Sequence, residues 1–475
     1  MGKGDYDAVV VGAGPNGLAA AVTLAEAGRS VLVLEQAPVI GGGARSAELT
    51  LPGFIHDICS TVHPLGITSP AFKRMPLQAH GLEWIQSPAA VAHPLDGGRA
   101  AIMERSVRAT AALLGRDGPA YRALFEDLVA RWDQLASEIL QPLLHLPRHP
   151  LLLARFGLPA LLPASWLARR AFRDESARAL FAGIAAHTTM PLDRPPTASF
   201  GFVLGLAGHA VGWPIVRGGS QQLVNALASY LRSLGGEIVT DTLVTDLAEL
   251  PPARAVLLDV TPAQLLKMGG EQLPSGYRRQ LSRYQQGLGT FKVDWALDGP
   301  IPWTAPECTR AATVHLGGTL DEMVAARRLE TDGVPAEQPF VILVQPTLFD
   351  PSRAPDGKHI AWGYCHVPLH STADMTARIE AQIERFAPGF RDRILARRTA
   401  DPAALERYNP NMVGGDIGGG ETTLAQLIFR PTIGLAPYTT PLPNVFLCSA
   451  STPPGGGVHG MGGANAARVA LQRRW

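Results

Sequence analysis

The sequence has little cysteine and little charge. Its four cysteines are far apart, with no CxxC pair and no histidine spacing that would hold a metal, which excludes a disulfide-stapled fold and predicts no metal site. Charged residues make up 17% of the 475 residues, below the typical value of about 25%. The formal net charge of +1 argues against the strong positive field of a nucleic-acid-binding protein.

The N-terminus has no charged region followed by an apolar stretch and a cleavage site, so we expect a cytoplasmic protein. Residues 8–25, 195–216 and 431–467 lack Asp, Glu, Lys and Arg over at least the roughly 18 residues that a membrane-spanning helix needs. Each stretch contains glycine and proline, which break a helix. We therefore interpret them as a strand–turn–helix unit, a buried apolar segment and a glycine-rich loop.

A glycine-rich turn near the N-terminus has the pattern of a dinucleotide-binding site. An apolar run at 8–11 precedes GAGPNG at 12–17, a helical stretch follows, and a second apolar run at 31–34 ends at Glu35. In such a βαβ fingerprint the glycines allow a tight turn and a close approach to a pyrophosphate, and Glu35 accepts the ribose hydroxyls. The predicted contacts within the turn are Gly12, Gly14, Pro15, Asn16 and Gly17.

The segment after Glu35 distinguishes NAD from FAD. The sequence GGGAR at 41–45 resembles the segment that returns to the pyrophosphate in the flavin amine oxidase and phytoene desaturase superfamily. This resemblance implies FAD as the cofactor, held in part by Gly41 and Gly42. Since the family's usual arginine is replaced by Gly43, we expect Arg45 to supply the positive charge.

Two further segments carry the same resemblance. Residues 216–246 look like the family's second nucleotide-domain unit, in which the backbone near Val244 meets the adenine. Residues 443–465 resemble the C-terminal flavin motif of phytoene desaturases, with serines at 449 and 451 where glycines are usual. A helix N-terminus there stabilises negative charge on reduced flavin. The contacts implied by this motif are Ala450, Gly460, Met461, Gly462 and Asn465.

Residues 408–417 and 449–457 look like one branch of this superfamily, the phytoene-dehydrogenase-like proteins with a pyridine nucleotide-disulphide oxidoreductase domain. The resemblance implies an α/β fold, with a discontinuous Rossmann-like FAD-binding domain and a substrate domain of helices and a mixed β-sheet. Strand patterns at 289–297, 340–344 and 360–364 provide that sheet. The expected boundaries are 1–75, 215–265 and 425–475 for the FAD-binding domain, and 76–214 and 266–424 for the substrate domain.

Flavin performs the redox step, so few catalytic side chains are required. His459, in the C-terminal glycine-rich segment, is a candidate to hydrogen-bond the flavin or move a proton, the alternative being a side chain packed against the cofactor. Lys292 is one of only five lysines. In amine oxidases of the superfamily a lysine holds a water near flavin N5, whereas the alternative is an exposed strand residue. Asn411 lies in a loop that borders the substrate or simply forms a turn.

The resemblance predicts an FAD-dependent oxidoreductase that abstracts hydride from a small lipophilic substrate, such as a polyene or isoprenoid, to flavin N5. One alternative is a flavin amine oxidase or reductase that acts on a small polar metabolite. Another is a non-catalytic module that binds lipid or protein, like the Rab GDP dissociation inhibitors, which share this architecture.

Residues 139–173 contain many leucines, five arginines and no acidic residue. Such a composition is typical of a segment that lies in a membrane interface, with guanidinium groups near lipid phosphates. The other interpretation is a pair of core helices broken by Pro150, Pro159 and Pro163. The repeated prolines favour core helices, with peripheral membrane contact as the alternative.

Overall fold

The chain folds around two large β-sheets. In the computed structural model, which describes residues 6–475, strands and α-helices are numbered in chain order. Strands β1 to β16 are Ala8–Val11, Val31–Leu34, Ser46–Glu48, Ile55–Asp57, Trp84–Ile85, Ala89–Leu95, Arg99–Glu104, Ile215–Val216, Glu237–Val239, Ala255–Leu258, Gly289–Leu297, Ala311–Leu316, Val341–Val344, His359–Val367, Ile394–Ala400 and Val445–Leu447. Helices α1 to α17 are Pro15–Glu26, Pro64–Thr68, Val107–Leu113, Gly118–Ala130, Trp132–Ile139, Pro150–Ala160, Ala164–Ala171, Glu175–Ala185, Ala198–Val211, Gln221–Ser233, Pro262–Gly269, Ser275–Leu281, Leu320–Thr331, Thr376–Phe386, Pro402–Tyr408, Leu424–Ile428 and Met461–Arg474.

The first sheet is parallel and has the strand order β16-β10-β1-β2-β9. Its central strands are continuous apolar runs that are buried along their length, as expected when helices cover both faces of a parallel sheet. Its strands come from three separated parts of the chain. The predicted α/β fold with a Rossmann-like unit is therefore confirmed, while the exact domain boundaries stay a prediction.

The second sheet is mixed, with the order β15-β11-β14-β13-β12-β6-β7, and only the β12–β6 pair within it is parallel. Because side chains alternate between the faces of a strand, β11 presents Phe291, Val293 and Trp295 to one side. These side chains pack with Ile379 and Ile383 of α14 in one apolar core. The other face carries polar residues, which are described with the site below.

Helices α3 to α9 form a layer beside the second sheet. The apolar segment predicted at 195–216 is the helix α9, which is largely buried and packs through Gly201 and Gly205 against Phe181 and Phe125. Among the described helices, none is by itself long and apolar enough to cross a bilayer, and α6 and α7 reach the required length only as a pair bent by 95°.

Candidate nucleotide and flavin site

A pocket of about 360 Å³ lies at the carboxyl ends of β1, β2 and β10. This is the edge at which parallel α/β sheets bind ligands. The pocket is bounded by the glycine turn on one side and by the segment after β9 on the other. Among the predicted cofactor contacts, those that line it are Gly12, Gly14, Glu35, Gly42, Arg45 and Val244.

The turn at 12–17 requires glycine for steric reasons. Gly12 has a φ of +102°, a conformation that favours glycine. A Cβ on Gly17 would overlap the carbonyl oxygen of Gly12, so the helix α1 could not start so close to β1. Pro15 occupies the first turn of α1, where its missing N–H costs no helical hydrogen bond. The backbone is thereby open to a ligand at the helix N-terminus.

The Glu35 carboxylate is held rigidly at the end of β2. It accepts hydrogen bonds from the backbone amides of Ala13, at 2.8 Å, and Ala37, at 3.0 Å, and it is buried. A carboxylate has about four lone-pair positions, so two acceptor positions stay available to ribose hydroxyls. Glu35 therefore lies at the end of β2 with acceptor positions available, and its contact with a ribose stays a prediction.

Arg45 reaches the same pocket from the GGGAR segment. Its Nε donates to the Gly42 carbonyl over 2.9 Å, and its guanidinium lies 4.0 Å from the centre of the Tyr408 ring. These contacts hold the Arg45 guanidinium beside Gly42. It has no carboxylate partner among the described residues. Lys267 adds a second positive charge at the pocket. The Gly41 amide donates to the Ala13 carbonyl, which connects the GGGAR segment to the glycine turn.

Asp259 is a site residue that the sequence reasoning missed. It follows β10 directly, and its Oδ2 accepts the Gly17 amide over 3.0 Å. Burial and the nearby Glu35 charge together raise the pKa of Asp259 to about 7, although the hydrogen bond from the Gly17 amide opposes that rise. The available signal was an acidic residue immediately after a buried strand, the same pattern that identified Glu35.

Asn411 was predicted to border the substrate, and the structure places it in the nucleotide pocket. Its Nδ2 donates to the Asp259 carbonyl over 2.9 Å, and the side chain lines the pocket wall. Val244, predicted to meet the adenine, lines the same pocket near Glu35. Asn411 therefore shapes the nucleotide site in this structure.

The C-terminal glycine segment comes directly against the N-terminal one. A Cβ on Gly463 would overlap the carbonyl oxygen of Asn16, so α17 and α1 touch backbone to backbone. Gly462 lies against the carbonyls of residues 448 and 449, and Gly460, in the left-handed region at φ +65°, starts α17. The N-terminal and C-terminal glycine segments are therefore in direct contact.

His459 is buried where α17 begins. Its Nδ1 accepts the Met461 amide over 3.0 Å, and its carbonyl accepts the Ser69 hydroxyl over 2.6 Å. Burial lowers the pKa of His459 to about 4. These contacts make His459 a neutral acceptor for the first amide of α17 in this structure, and its role toward the flavin stays a prediction.

The other two predicted C-terminal contacts have different surroundings. Asn465 turns into the protein, where its Nδ2 lies 3.2 Å from the Tyr438 hydroxyl and 3.4 Å from the Leu140 carbonyl. Ala450 packs against the loop at Gly419. Asn465 thus anchors α17, and its amide is engaged with protein groups.

The residues at the pocket fit the adenosine diphosphate half of FAD. Free amides at the start of α1, the Glu35 carboxylate and the Arg45 cation are what a ribose and a pyrophosphate require. The Asn16 Oδ1 is buried, with no hydrogen-bond partner in residues 6–475. A buried polar atom without a partner beside the glycine turn is one that a bound ligand or a water would satisfy.

Lys292 is buried on the second sheet, with only 3% of its side chain exposed, so it is not an exposed strand residue. It forms an ion pair with Asp294, and its Nζ lies 4.7 Å from the centre of the Trp362 ring. Burial lowers the pKa of Lys292 and raises that of Asp294. Cys59, beside the Gly43 backbone, is close enough for the Lys292 charge to act on its pKa.

The same face of the second sheet continues into a cluster of histidines. His315 on β12 lies 3.0 Å, Nε2 to Nε2, from His187, and burial lowers the pKa of His187 to about 4. Both ring nitrogens of His366 on β14 are buried without a partner in the described part of the chain. Thr290 pairs with His366 across β11 and β14, and its buried hydroxyl also lacks a hydrogen-bond partner among the described residues. The cluster is neutral and able to donate and accept hydrogen bonds.

Comparison with known proteins agrees with the nucleotide site. Residues 10–75 match the family described as NAD(P)-binding Rossmann-like domain. The chain is 28% identical to pyridine nucleotide-disulfide oxidoreductase domain-containing protein 2 of Mus musculus, over 99% of this chain and 94% of that protein. It is also 28% identical to phytoene dehydrogenase of Streptomyces griseus, over 83% and 78% of the two chains.

Among solved structures, cyclohexylamine oxidase from Brevibacterium oxydans superposes with a TM-score of 0.63, at 18% identity over 99% of both chains. That likeness concerns the fold. The predicted resemblance to phytoene-dehydrogenase-like proteins is confirmed by sequence, the resemblance to amine oxidases is confirmed for the fold alone, and the prediction of an oxidoreductase is confirmed. These findings favour an enzyme over the non-catalytic module considered above.

Proposed function

We propose that this oxidoreductase binds FAD and uses it to take a hydride from a lipophilic substrate. The observation that carries the proposal is the direct contact between the N-terminal and C-terminal glycine segments, which brings the start of α17 against α1, the helix that follows the pocket-lining glycine turn. When bound, FAD supplies the hydride acceptor.

The residues of the chain have separate tasks in this proposal. Glu35 binds the ribose hydroxyls, and the amides at the start of α1 bind the pyrophosphate together with Arg45. The N-terminus of α17, which begins after Gly460, would favour negative charge on the flavin ring system. Lys292, paired with Asp294 away from bulk water, is proposed to hold a proton or water at the redox centre.

The lipophilic nature of the substrate is supported by sequence similarity. A relative that is 28% identical is named phytoene dehydrogenase, and phytoene is a hydrocarbon. The apolar helical layer formed by α4, α8 and α9, with tilted and edge-to-face contacts among Phe125, Phe181 and Phe202, adds an apolar wall beside the second sheet.

A second candidate is an oxidoreductase acting on a polar metabolite, such as an amine or alcohol. It is favoured by the unpartnered His366 and the hydrogen-bonded pair His187 and His315, because buried polar groups without partners indicate a hydrogen-bonding ligand or water. The fold shared with cyclohexylamine oxidase agrees with this candidate.

The deciding experiment is an anaerobic titration of the FAD-loaded protein with a polyene, an isoprenoid alcohol and a primary amine. We expect the flavin absorption band to bleach with the polyene and to recover in air. Bleaching by the amine alone would establish the second candidate. A protein that neither retains nor takes up FAD would contradict both.

The cofactor assignment has its own test in Glu35→Arg. The substitution replaces the ribose acceptor by a cation and removes two charge-assisted hydrogen bonds, so FAD affinity should fall roughly tenfold to a hundredfold. The matched control is Glu48→Arg, an exposed residue at the end of β3, which should keep full flavin content. Equal flavin content in both variants would refute the role of Glu35.

A further inference from the structure

Seven large apolar side chains between residues 143 and 166 are exposed. Leu146, Leu151 and Leu158 have 93%, 85% and 73% of their surface open to solvent. Scattered single leucines are normal on a protein surface, whereas a contiguous apolar patch marks a binding surface. We name residues 143–166 the leucine surface. Its exposed side chains are Leu143, Leu144, Leu146, Leu151, Leu158, Leu161 and Trp166.

The exposure follows from the way α6 packs. Leu152, Phe156 and Ala160 form its buried face, which satisfies the expectation of a core helix. Leu151 and Leu158 are seven residues apart and therefore share another face, which nothing in the described chain covers. Both faces of α6 are thus apolar, and only one of them contacts protein.

Positive charge surrounds these leucines. Between residues 139 and 173 there are five arginines and no acidic residue. Arg155 and Arg169 pair with carboxylates from other elements, whereas Arg148 and Arg170 have no carboxylate within 4 Å in the part of the chain described here. Arg170 also lines an open cleft of about 440 Å³ together with Trp166, Arg169 and Asp193.

We propose that the leucine surface docks on a lipid bilayer that contains anionic headgroups. Exposed leucines and a tryptophan beside unpaired arginines are what an interfacial segment needs, since the apolar side chains enter the headgroup boundary and the guanidinium groups bind lipid phosphates. A second copy of the chain is a poorer occupant, because a two-fold interface would bring the same arginines against each other.

The proposal does not depend on the flavin site. It is tested by flotation of the FAD-loaded protein with vesicles of phosphatidylcholine alone and of phosphatidylcholine mixed with phosphatidylglycerol. We expect binding to the mixed vesicles, and weaker binding at high salt because salt screens the arginines.

Two variants separate the apolar from the electrostatic contribution. Leu151→Ser with Leu158→Ser should weaken partition at least tenfold on either vesicle, since it removes two inserted side chains. Arg148→Gln with Arg170→Gln should weaken binding to the anionic vesicles by a factor of roughly twenty-five, at about fivefold per basic residue, with no change on neutral vesicles.

The matched controls lie elsewhere on the surface. Leu113→Ser with Leu395→Ser changes two leucines that are 59% and 46% exposed, and Arg279→Gln with Arg283→Gln changes two exposed arginines. Both controls should partition like the wild type. Flavin content and anaerobic bleaching, measured on the same preparations, should not change in any of the four variants, so failure of membrane binding and failure of the flavin site are distinguishable.

Three results would overturn the proposal. One is a wild-type protein that stays with the soluble fraction on both vesicles. Another is equal partition of the wild type and the Leu151 and Leu158 variant. The third is a dimer, seen by analytical ultracentrifugation without vesicles, that the same variant dissociates, since this would make the leucine surface an interface between two copies.

Discussion

The carboxyl oxygen Oδ2 of Asp259 lies 3.0 Å from the amide nitrogen of Gly17 and accepts its hydrogen bond. This amide belongs to the helix N-terminus that the fingerprint assigns to a pyrophosphate. An acidic side chain therefore occupies a donor at the helix N-terminus that we propose for the pyrophosphate, in a pocket that also holds the Glu35 carboxylate.

The first prediction is that FAD binding takes up a proton. Burial gives Asp259 a pKa of about 7, and the negative pyrophosphate raises it further because like charges disfavour ionisation. Above about pH 7 affinity should therefore fall as pH rises, by up to about tenfold per pH unit. Titration calorimetry in two buffers of different ionisation enthalpy measures the uptake.

Asp259→Asn keeps an acceptor for the Gly17 amide and cannot ionise. It should bind FAD without proton uptake and with higher affinity than the wild type in alkaline solution. Identical proton uptake in the two proteins would assign the titration to another group.

The second prediction concerns the contact between α1 and α17. Gly463→Ala places a methyl group on the Asn16 carbonyl, so we expect a loss of about 1–3 kcal/mol in the free energy of unfolding, as for other overpacked sites, together with a lower flavin content. Gly276→Ala is the control, because a Cβ there has no neighbour within 4 Å and alanine favours the helix. Denaturant unfolding measures the free energy of unfolding of both variants. If the two values are equal, the contact between α1 and α17 accommodates the added methyl group at no cost, which would contradict the prediction.

The third prediction concerns the buried pair Lys292 and Asp294. Lys292→Met leaves the Asp294 carboxylate unpaired in the interior, which should cost about 3–5 kcal/mol. The double variant with Asp294→Leu should recover most of this loss, since neither charge remains buried.

That double variant also tests the proposed redox role. If Lys292 holds a water at the flavin, the folded double variant should reoxidise its reduced flavin at least tenfold more slowly in stopped-flow mixing with oxygen. An unchanged rate in a stable protein would leave the pair with a structural role alone.

The fourth prediction is an acid-dependent loss of stability from His459. Its pKa falls from 6.5 in the unfolded chain to about 4 in the folded protein, so the folded state binds fewer protons. Stability should therefore decrease as pH falls from about 6.5 to about 4, by up to roughly 3 kcal/mol for this group. His459→Asn, which retains an acceptor near the Nδ1 position, should show a shallower decrease, measured by denaturant unfolding across this range. A decrease of unchanged slope would contradict the neutral-cap assignment.

The nucleotide half of the site could be predicted because its determinants are local. Gly12, Gly17 and Glu35 lie in one βαβ unit, where residue spacing by itself fixes the turn, the helix start and the strand end. The alternation of residues also predicted strands at 289–297 and 360–364, which the structure shows as β11, Gly289–Leu297, and the longer β14, His359–Val367.

Other parts of the site depend on contacts between distant segments. Asp259 meets Gly17 across 242 positions of sequence, because β10 pairs with β1 in the parallel sheet. His187 and His315 are 128 positions apart and meet only where α8 ends against β12. Asn411 was assigned to the substrate side because a loop's location depends on the elements that it crosses.

The sequence by itself determined the dinucleotide fingerprint, the α/β class and the unusual composition of residues 139–173, since each of these is a property of neighbouring residues. Tertiary structure decided that Lys292 is buried, that His459 caps a helix and that one apolar face of α6 stays uncovered. Burial depends on which elements pack together, and that is set by strand order and helix packing across the whole chain.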